Sequence, residues 1–185
     1  LKEQIKGCFT HKLGPGELPV KRGKGTIKGI LVPHAGYMYS GPCAAWAYKD
    51  LAEAKKPSTF IILAPDHYGR QEFPTTTLED LSTPFGPIMI DKSFVNHLVK
   101  RCPFVKIDKV SDHSIEVQLP FIQETQGDLS NLKVVPIIIP TIENHKELAI
   151  ALSEIDEDAV IICSSDLTHF GPEFDYVPFK YKVKE

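Results

Sequence analysis

The chain has 185 residues, of which 42% are hydrophobic and 24% charged, with a formal net charge of -3. That length fits one domain with room for a sizeable core, and the charged share is that of an ordinary folded domain rather than a disordered one. The balanced charge offers no footprint for nucleic acid, and no apolar run is long enough to span a bilayer.

In chain order, residues 1–12 carry three lysines and no continuous apolar stretch, which excludes a signal peptide there. Residues 13–25 are rich in glycine and proline and read as a loop. Residues 26–33 (TIKGILVP) read as a short buried strand that stops at Pro33. Residues 41–55 are alanine-rich and predict a helix with Pro42 in its first turn. Residues 59–65 (TFIILAP) form a second apolar run ending in proline. A threonine-rich stretch over 70–83 predicts an edge strand, and 87–90 continues a sheet. A helix over 91–101 is capped by Asp91, with Phe94, Val95, Leu98 and Val99 on one face. Residues 112–126 predict a helix despite Pro120. The run 132–140, a helix over 143–155 and the run 159–163 complete the pattern. Apolar runs alternating with helices predict an α/β fold with a mainly parallel sheet covered on both faces. Four cysteines without paired spacing read as reduced, mostly buried thiols of a cytoplasmic protein.

Function enters through position. Three of the four core runs end directly in polar residues: Pro33-His34-Ala35-Gly36-Tyr37, Pro65-Asp66-His67-Tyr68-Gly69 and Ser164-Ser165-Asp166-Leu167-Thr168-His169. In a parallel sheet these ends share one edge, where ligands bind. His113 and Glu116, at the start of a helix, can reach the same rim. Glu116 reads as solvated or capping. His11, His97 and His145 carry no assigned role. Imidazoles with a carboxylate at one crevice suit zinc, iron or copper, and a bound metal would polarise an oxygen or acidify a water. Tyr37, Tyr39 and Tyr68 are candidate walls. The stretch HAGYMYSG carries neither a dinucleotide fingerprint nor a phosphate-loop lysine, and Ser164-Ser165 lacks a nucleophile elbow.

The segments PHAGYMYSGPCAAWAY (33–48), LAPDHYG (63–69), STPFGPIMID (82–91), DHSIEVQLPF (112–121) and SSDLTHFGP (164–172) together resemble the Memo family, which includes the AmmeMemoRadiSam system protein B of archaea and bacteria. The resemblance implies a fold similar to class III extradiol dioxygenases. It also implies a non-haem iron-type centre and a metal-dependent oxidoreductase of unknown substrate. It implies His34 and His67 as metal ligands and His113 as a general acid or base. The family's cysteine position, a candidate site position, holds Thr168 here. The third ligand is then His169, Asp166 or water, with His169 favoured because these metals accept imidazole well. Asp166 is also a candidate base. The expected cofactor is a divalent metal, iron first, then zinc or copper. The expected partner is a small molecule or short peptide, with no nucleic acid and no membrane. A non-catalytic small-ligand or phosphopeptide-like binding module and a metal-dependent hydrolase stay open as rivals. The resemblance implies a single domain over 1–185 that family members extend at both ends.

Overall fold

The computed structural model describes residues 1–20, 23, 25–127, 129–140, 144–155 and 158–179. The elements, in order, are α1 (Lys2–Thr10), β1 (Gly29–Val32), α2 (Tyr37–Glu53), β2 (Phe60–Pro65), β3 (Thr75–Thr76), β4 (Leu81–Thr83), β5 (Gly86–Ile90), α3 (Lys92–Arg101), β6 (Lys106–Ile107), α4 (His113–Glu116), α5 (Gln118–Gln126), β7 (Lys133–Ile139), α6 (His145–Ile155) and β8 (Val160–Ser164). A short 3-10 turn follows at Pro172–Phe174. Parts of the loop expected over 13–25, the first residue of the helix expected over 143–155 and the charged run 180–185 lie outside the described residues.

The sheet runs β1-β8-β2-β7-β3-β6, with β5 also joined to β7. The ladders β1–β8, β2–β8 and β2–β7 are parallel, as are β5–β7 and β3–β6, while β3–β7 and β4–β5 are antiparallel. The expected α/β fold is therefore present as a mostly parallel, mixed sheet flanked by helices. Central strands are apolar because both faces are covered: Phe60, Ile61, Ile62, Val134, Val135, Ile137, Val160 and Ile162 are all buried. Each such side chain contributes roughly 1.5–3 kcal/mol by leaving water. The threonine-rich stretch expected as an edge strand over 70–83 supplies β3 and β4, but β3 lies inside the sheet between β7 and β6, and the two-residue β6 carries too little sequence pattern to be read in advance.

Helix α2 lays Ala44, Ala45, Tyr48, Leu51 and Ala52 onto the core, a single stripe at helical spacing. It starts a turn earlier than expected. The amides of Tyr39 and Ser40 donate to the Gly36 carbonyl, and the Ser40 hydroxyl donates to the Ala35 carbonyl. Pro42 consequently lies in the second turn, where it forfeits a ladder hydrogen bond. Asp91 caps α3 as expected, accepting from the Phe94 amide at 3.1 Å. The helix expected over 112–126 is split into α4 and α5 at Val117, and α5 ends at Gly127, whose φ of +68° suits glycine. All four cysteines are free, but Cys43 is exposed and Cys163 only half-buried. Cys43 falls on the outer side of α2, between the buried Pro42 and Ala44. Among the described residues no helix is long and apolar enough to cross a membrane.

Helix α1 has no counterpart in the sequence reading. Its Ile5, Cys8 and Phe9 pack against α2 and α5. Close approach depends on Gly41: a Cβ there would stand 2.5 Å from Cys8 Sγ. Gly41→Ala is expected to force α1 away and to cost roughly 1–3 kcal/mol, the usual range for overpacking. The denaturant midpoint checks this; an unchanged midpoint would show that α1 yields freely.

Candidate metal centre

The parallel register places the last residues of β1, β8 and β2 on one edge, with Val32 level with Ser164 and Leu63 level with Cys163. His34 and His67 leave from strands on either side of β8, two ladder spacings or about 9–10 Å apart. Their side chains close that distance over the end of β8, so the ring centroids of His34 and His67 are 4.9 Å apart. His113, first residue of α4, completes the group at 5.6 Å from His34 and 4.2 Å from His67. One ligand nitrogen from each of the three lies within 4.8 Å of the others.

Each ring is held differently. His34 is buried, and its Nδ1 is 3.0 Å from Ser164 Oγ. Asp166 fastens the turn carrying it, since Oδ1 accepts the amides of His34 at 2.6 Å and Ala35 at 3.1 Å. The remaining oxygen, Oδ2, stands 3.7 Å from His34 Nε2 and 3.6 Å from His169 Nε2. His67 donates from Nδ1 to Asp112 Oδ1 at 3.0 Å, and its amide donates to Oδ2 at 3.1 Å. A carboxylate so placed only accepts, so in the neutral ring the hydrogen sits on Nδ1 and Nε2 is open as a ligand. His113 Nδ1 is 3.5 Å from the same Oδ1, too far for a strong hydrogen bond, and its side chain is 45% exposed.

Asp112 has no exposed side-chain surface. Burial works to raise its pKa, but the Ser114 hydroxyl at 2.6 Å, the Ser114 amide at 2.9 Å and His67 outweigh it. The carboxyl ends at about 2, fully ionised at neutral pH. For Asp166 too, burial pushes upward, and the His34 and Ala35 amides together with the His34 and His169 charges bring the result below the ordinary carboxylate value. Burial lowers the His34 pKa, Asp166 opposes that, and His67 and His113 push it down further, so the net shift favours the neutral ring, the form able to bind a metal.

The structure thus brings together His34, His67 and His113, with Asp166 at the edge of the group. His169 lies beyond Asp166 and packs on Phe174 at 4.8 Å between centroids. Thr168 and Glu116 are exposed. Leu167, between Asp166 and Thr168, has a φ of +59°, a left-handed conformation that is costly for leucine and bends the chain sharply after Asp166. Tyr68 faces His113 at 6.3 Å and carries the Arg70 guanidinium over its ring at 4.4 Å. Tyr37 is tied instead to the Val117 carbonyl, and Tyr39 is open to solvent.

Asp112, Ser164 and Gln118 hold the rings from behind, and sequence reasoning did not single them out as site residues. Asp112 caps α4, its carboxylate accepting from the Ser114 amide. The available signal was an Asp-His pair opening the helix expected over 112–126, which also carries Gln118.

A family model described as Memo-like protein matches residues 1–185. The chain is 39% identical over 181 residues to a MEMO1 family protein of Methanopyrus kandleri, covering 93% of this chain and 64% of that protein. It is 41% identical over 186 residues to one of Sulfurisphaera tokodaii, covering 93% and 65%. With one of Methanothermobacter thermautotrophicus it shares 35% over 184 residues, covering 94% and 65%. The chain therefore spans slightly under two thirds of the length of these relatives.

Proposed function

From the premise that the chain belongs to the Memo family, whose fold is dioxygenase-like, we propose that it is a metal-dependent protein acting at the rim of β1, β8 and β2. The observation that carries this reading is the convergence of His34, His67 and His113 within 4.8 Å. Neutral imidazoles suit iron, zinc and copper; iron is the metal proposed. Held by His34 and His67, the metal would act as a Lewis acid toward an oxygen of the substrate or of water. Asp112 orients His67, and Asp166 holds the His34 turn in register. His113, whose ring is only loosely held, moves a proton to or from the reacting group. The occupant is a small molecule or a short peptide, and the reaction class is oxidoreduction.

One feature favours a second reading, a metal-dependent hydrolase. The converging set is three imidazoles without a carboxylate, a set that catalytic zinc uses with an open fourth position.

Metal content separates these readings from a binding module. Protein purified without a histidine tag and loaded with ferrous iron or zinc is expected to retain about one ion per chain, measured by elemental analysis after desalting. Retention of neither metal would overturn both catalytic readings and leave the binding module. Oxygen consumption and a panel of esters and phosphates then distinguish oxidoreduction from hydrolysis. His113→Ala is expected to keep the metal and to lose turnover.

A further inference from the structure

We propose that Ser164 is a positioning residue that fixes the tautomer of His34, and that a buried chain from Tyr48 through Gln118 sets the direction of its hydroxyl. The inference rests on the reading of His34 as a metal ligand.

The hydrogen positions follow from what each neighbour can do. The hydroxyl of Tyr48, a fully buried residue, is 2.8 Å from Gln118 Oε1. The Pro33 carbonyl only accepts, so the end of the Gln118 amide that faces it is the nitrogen, and Tyr48 donates to the oxygen at the other end. The Gln118 nitrogen then faces the Pro33 carbonyl and Ser164 Oγ, each at 3.0 Å, and these consume both of its hydrogens. Ser164 Oγ is 2.6 Å from the Ser114 carbonyl, which also only accepts. The single hydroxyl hydrogen of Ser164 goes there. Ser164 has received one hydrogen and given its own, so it offers only a lone pair to its remaining neighbour, His34 Nδ1 at 3.0 Å.

His34 must therefore carry its hydrogen on Nδ1, leaving Nε2 bare on the side of Asp166 Oδ2. The other tautomer would set two lone pairs against each other in a buried site, where an unmade hydrogen bond is costly. His67 reaches the same state through a charged acceptor, Asp112. The two ligands are thus matched in tautomer and unlike in support: one leans on a carboxylate, the other on a neutral hydroxyl. A carboxylate acceptor raises the basicity of its imidazole more than a hydroxyl does, so the centre has a stronger and a weaker nitrogen donor.

The test uses the full chain labelled with nitrogen-15 and freed of metal. Long-range proton–nitrogen correlation spectra at about pH 8, where an ordinary histidine is neutral, report which imidazole nitrogen carries the hydrogen. A competition titration with a chromogenic chelator reports zinc affinity. Wild type is expected to show His34 with its hydrogen on Nδ1. Ser164→Ala is expected to give mixed tautomers at His34, with His67 unchanged, and zinc binding weaker by roughly 10–100-fold. Ser164→Thr, which keeps the hydroxyl, is expected to restore both. A wild-type His34 protonated on Nε2, or a Ser164→Ala spectrum and affinity equal to wild type, would overturn the assignment. A wild type that holds no zinc, with the tautomer still lost in Ser164→Ala, supports the positioning role and sinks only the metal reading. If Ser164→Ala does not fold, Gln118→Met removes the donor that orients the hydroxyl. An unchanged His34 spectrum in that variant would likewise overturn the proposal.

Discussion

Replacing His67 with alanine is expected to strip the chain of its metal. His67 supplies the one imidazole of the three whose ligand nitrogen is bared by a direct bond to a carboxylate, with Nδ1 committed to Asp112 at 3.0 Å. Removing it takes away both the donor and the geometry that the other rings close around. Loss of hydrogen-bonded support alone typically weakens metal binding roughly 10–100-fold, so loss of the ligand itself is expected to exceed that. Isothermal titration with zinc and elemental analysis of iron-loaded protein check the result. His97→Ala, on α3 and far from the rim, is the matched control and is expected to bind as wild type does. Wild-type metal content in His67→Ala would place the centre elsewhere.

The second large effect is expected from Asp112→Asn. The buried carboxylate accepts from the Ser114 amide, the Ser114 hydroxyl, His67 Nδ1 and the His67 amide. An asparagine of the same shape turns its amide hydrogens toward one of those donors. At least two polar groups are then left facing each other unpaired, at about 1–3 kcal/mol each. With the amide oxygen kept where three of the donors meet, His67 Nδ1 faces a neutral carbonyl in place of a carboxylate, so metal affinity is expected to fall within the same roughly 10–100-fold range.

The pH dependence identifies the cause. With the folded carboxyl near 2 and the ordinary value at 3.8, the stabilisation is complete above about 3.8 and is lost as pH falls toward 2. The shift corresponds to about 2 kcal/mol. The lowered pKa of His34 acts in the same direction, because the unfolded chain takes up a proton below about 6.5 that folded His34 resists. Denaturation curves of wild type and Asp112→Asn are therefore expected to differ most above pH 4 and to converge toward pH 2. A gap that stays constant with pH would mean that the charge of Asp112 contributes nothing.

Much of the fold was legible because the chain advertises it. Runs such as TFIILAP are apolar on both faces and end in proline, so the strands, their parallel sense and the edge carrying His34 and His67 follow from local pattern. The sheet extension was legible only in part: the stretch 70–83 pointed to an edge strand, but Thr75–Thr76 sits between β7 and β6, a place that two residues with no period do not announce. Helix α1 was missed for a similar reason: three apolar residues gain meaning only when Gly41 lets Cys8 close onto α2. In the site, imidazoles at strand ends were visible one by one. The groups behind them were not, because His67 meets Asp112 across 45 residues and His34 meets Ser164 across 130.

Strand β1 touches only β8 among the described strands, yet His34 begins two residues after it ends. An edge held by one ladder opens more readily than the centre of a sheet. In metal-free protein the amides of Gly29–Val32 are therefore expected to exchange with deuterium faster than those of β2. A ligand that grips His34 binds only the closed edge, and at a hundredfold excess over its dissociation constant it would slow that opening by about 2.7 kcal/mol, read as a hundredfold gain in protection. Equal exchange with and without zinc would show the edge to be indifferent to the ion. Otherwise occupancy is transmitted as stiffness along one margin of the sheet, and a partner pairing with that margin would sense it without touching a histidine.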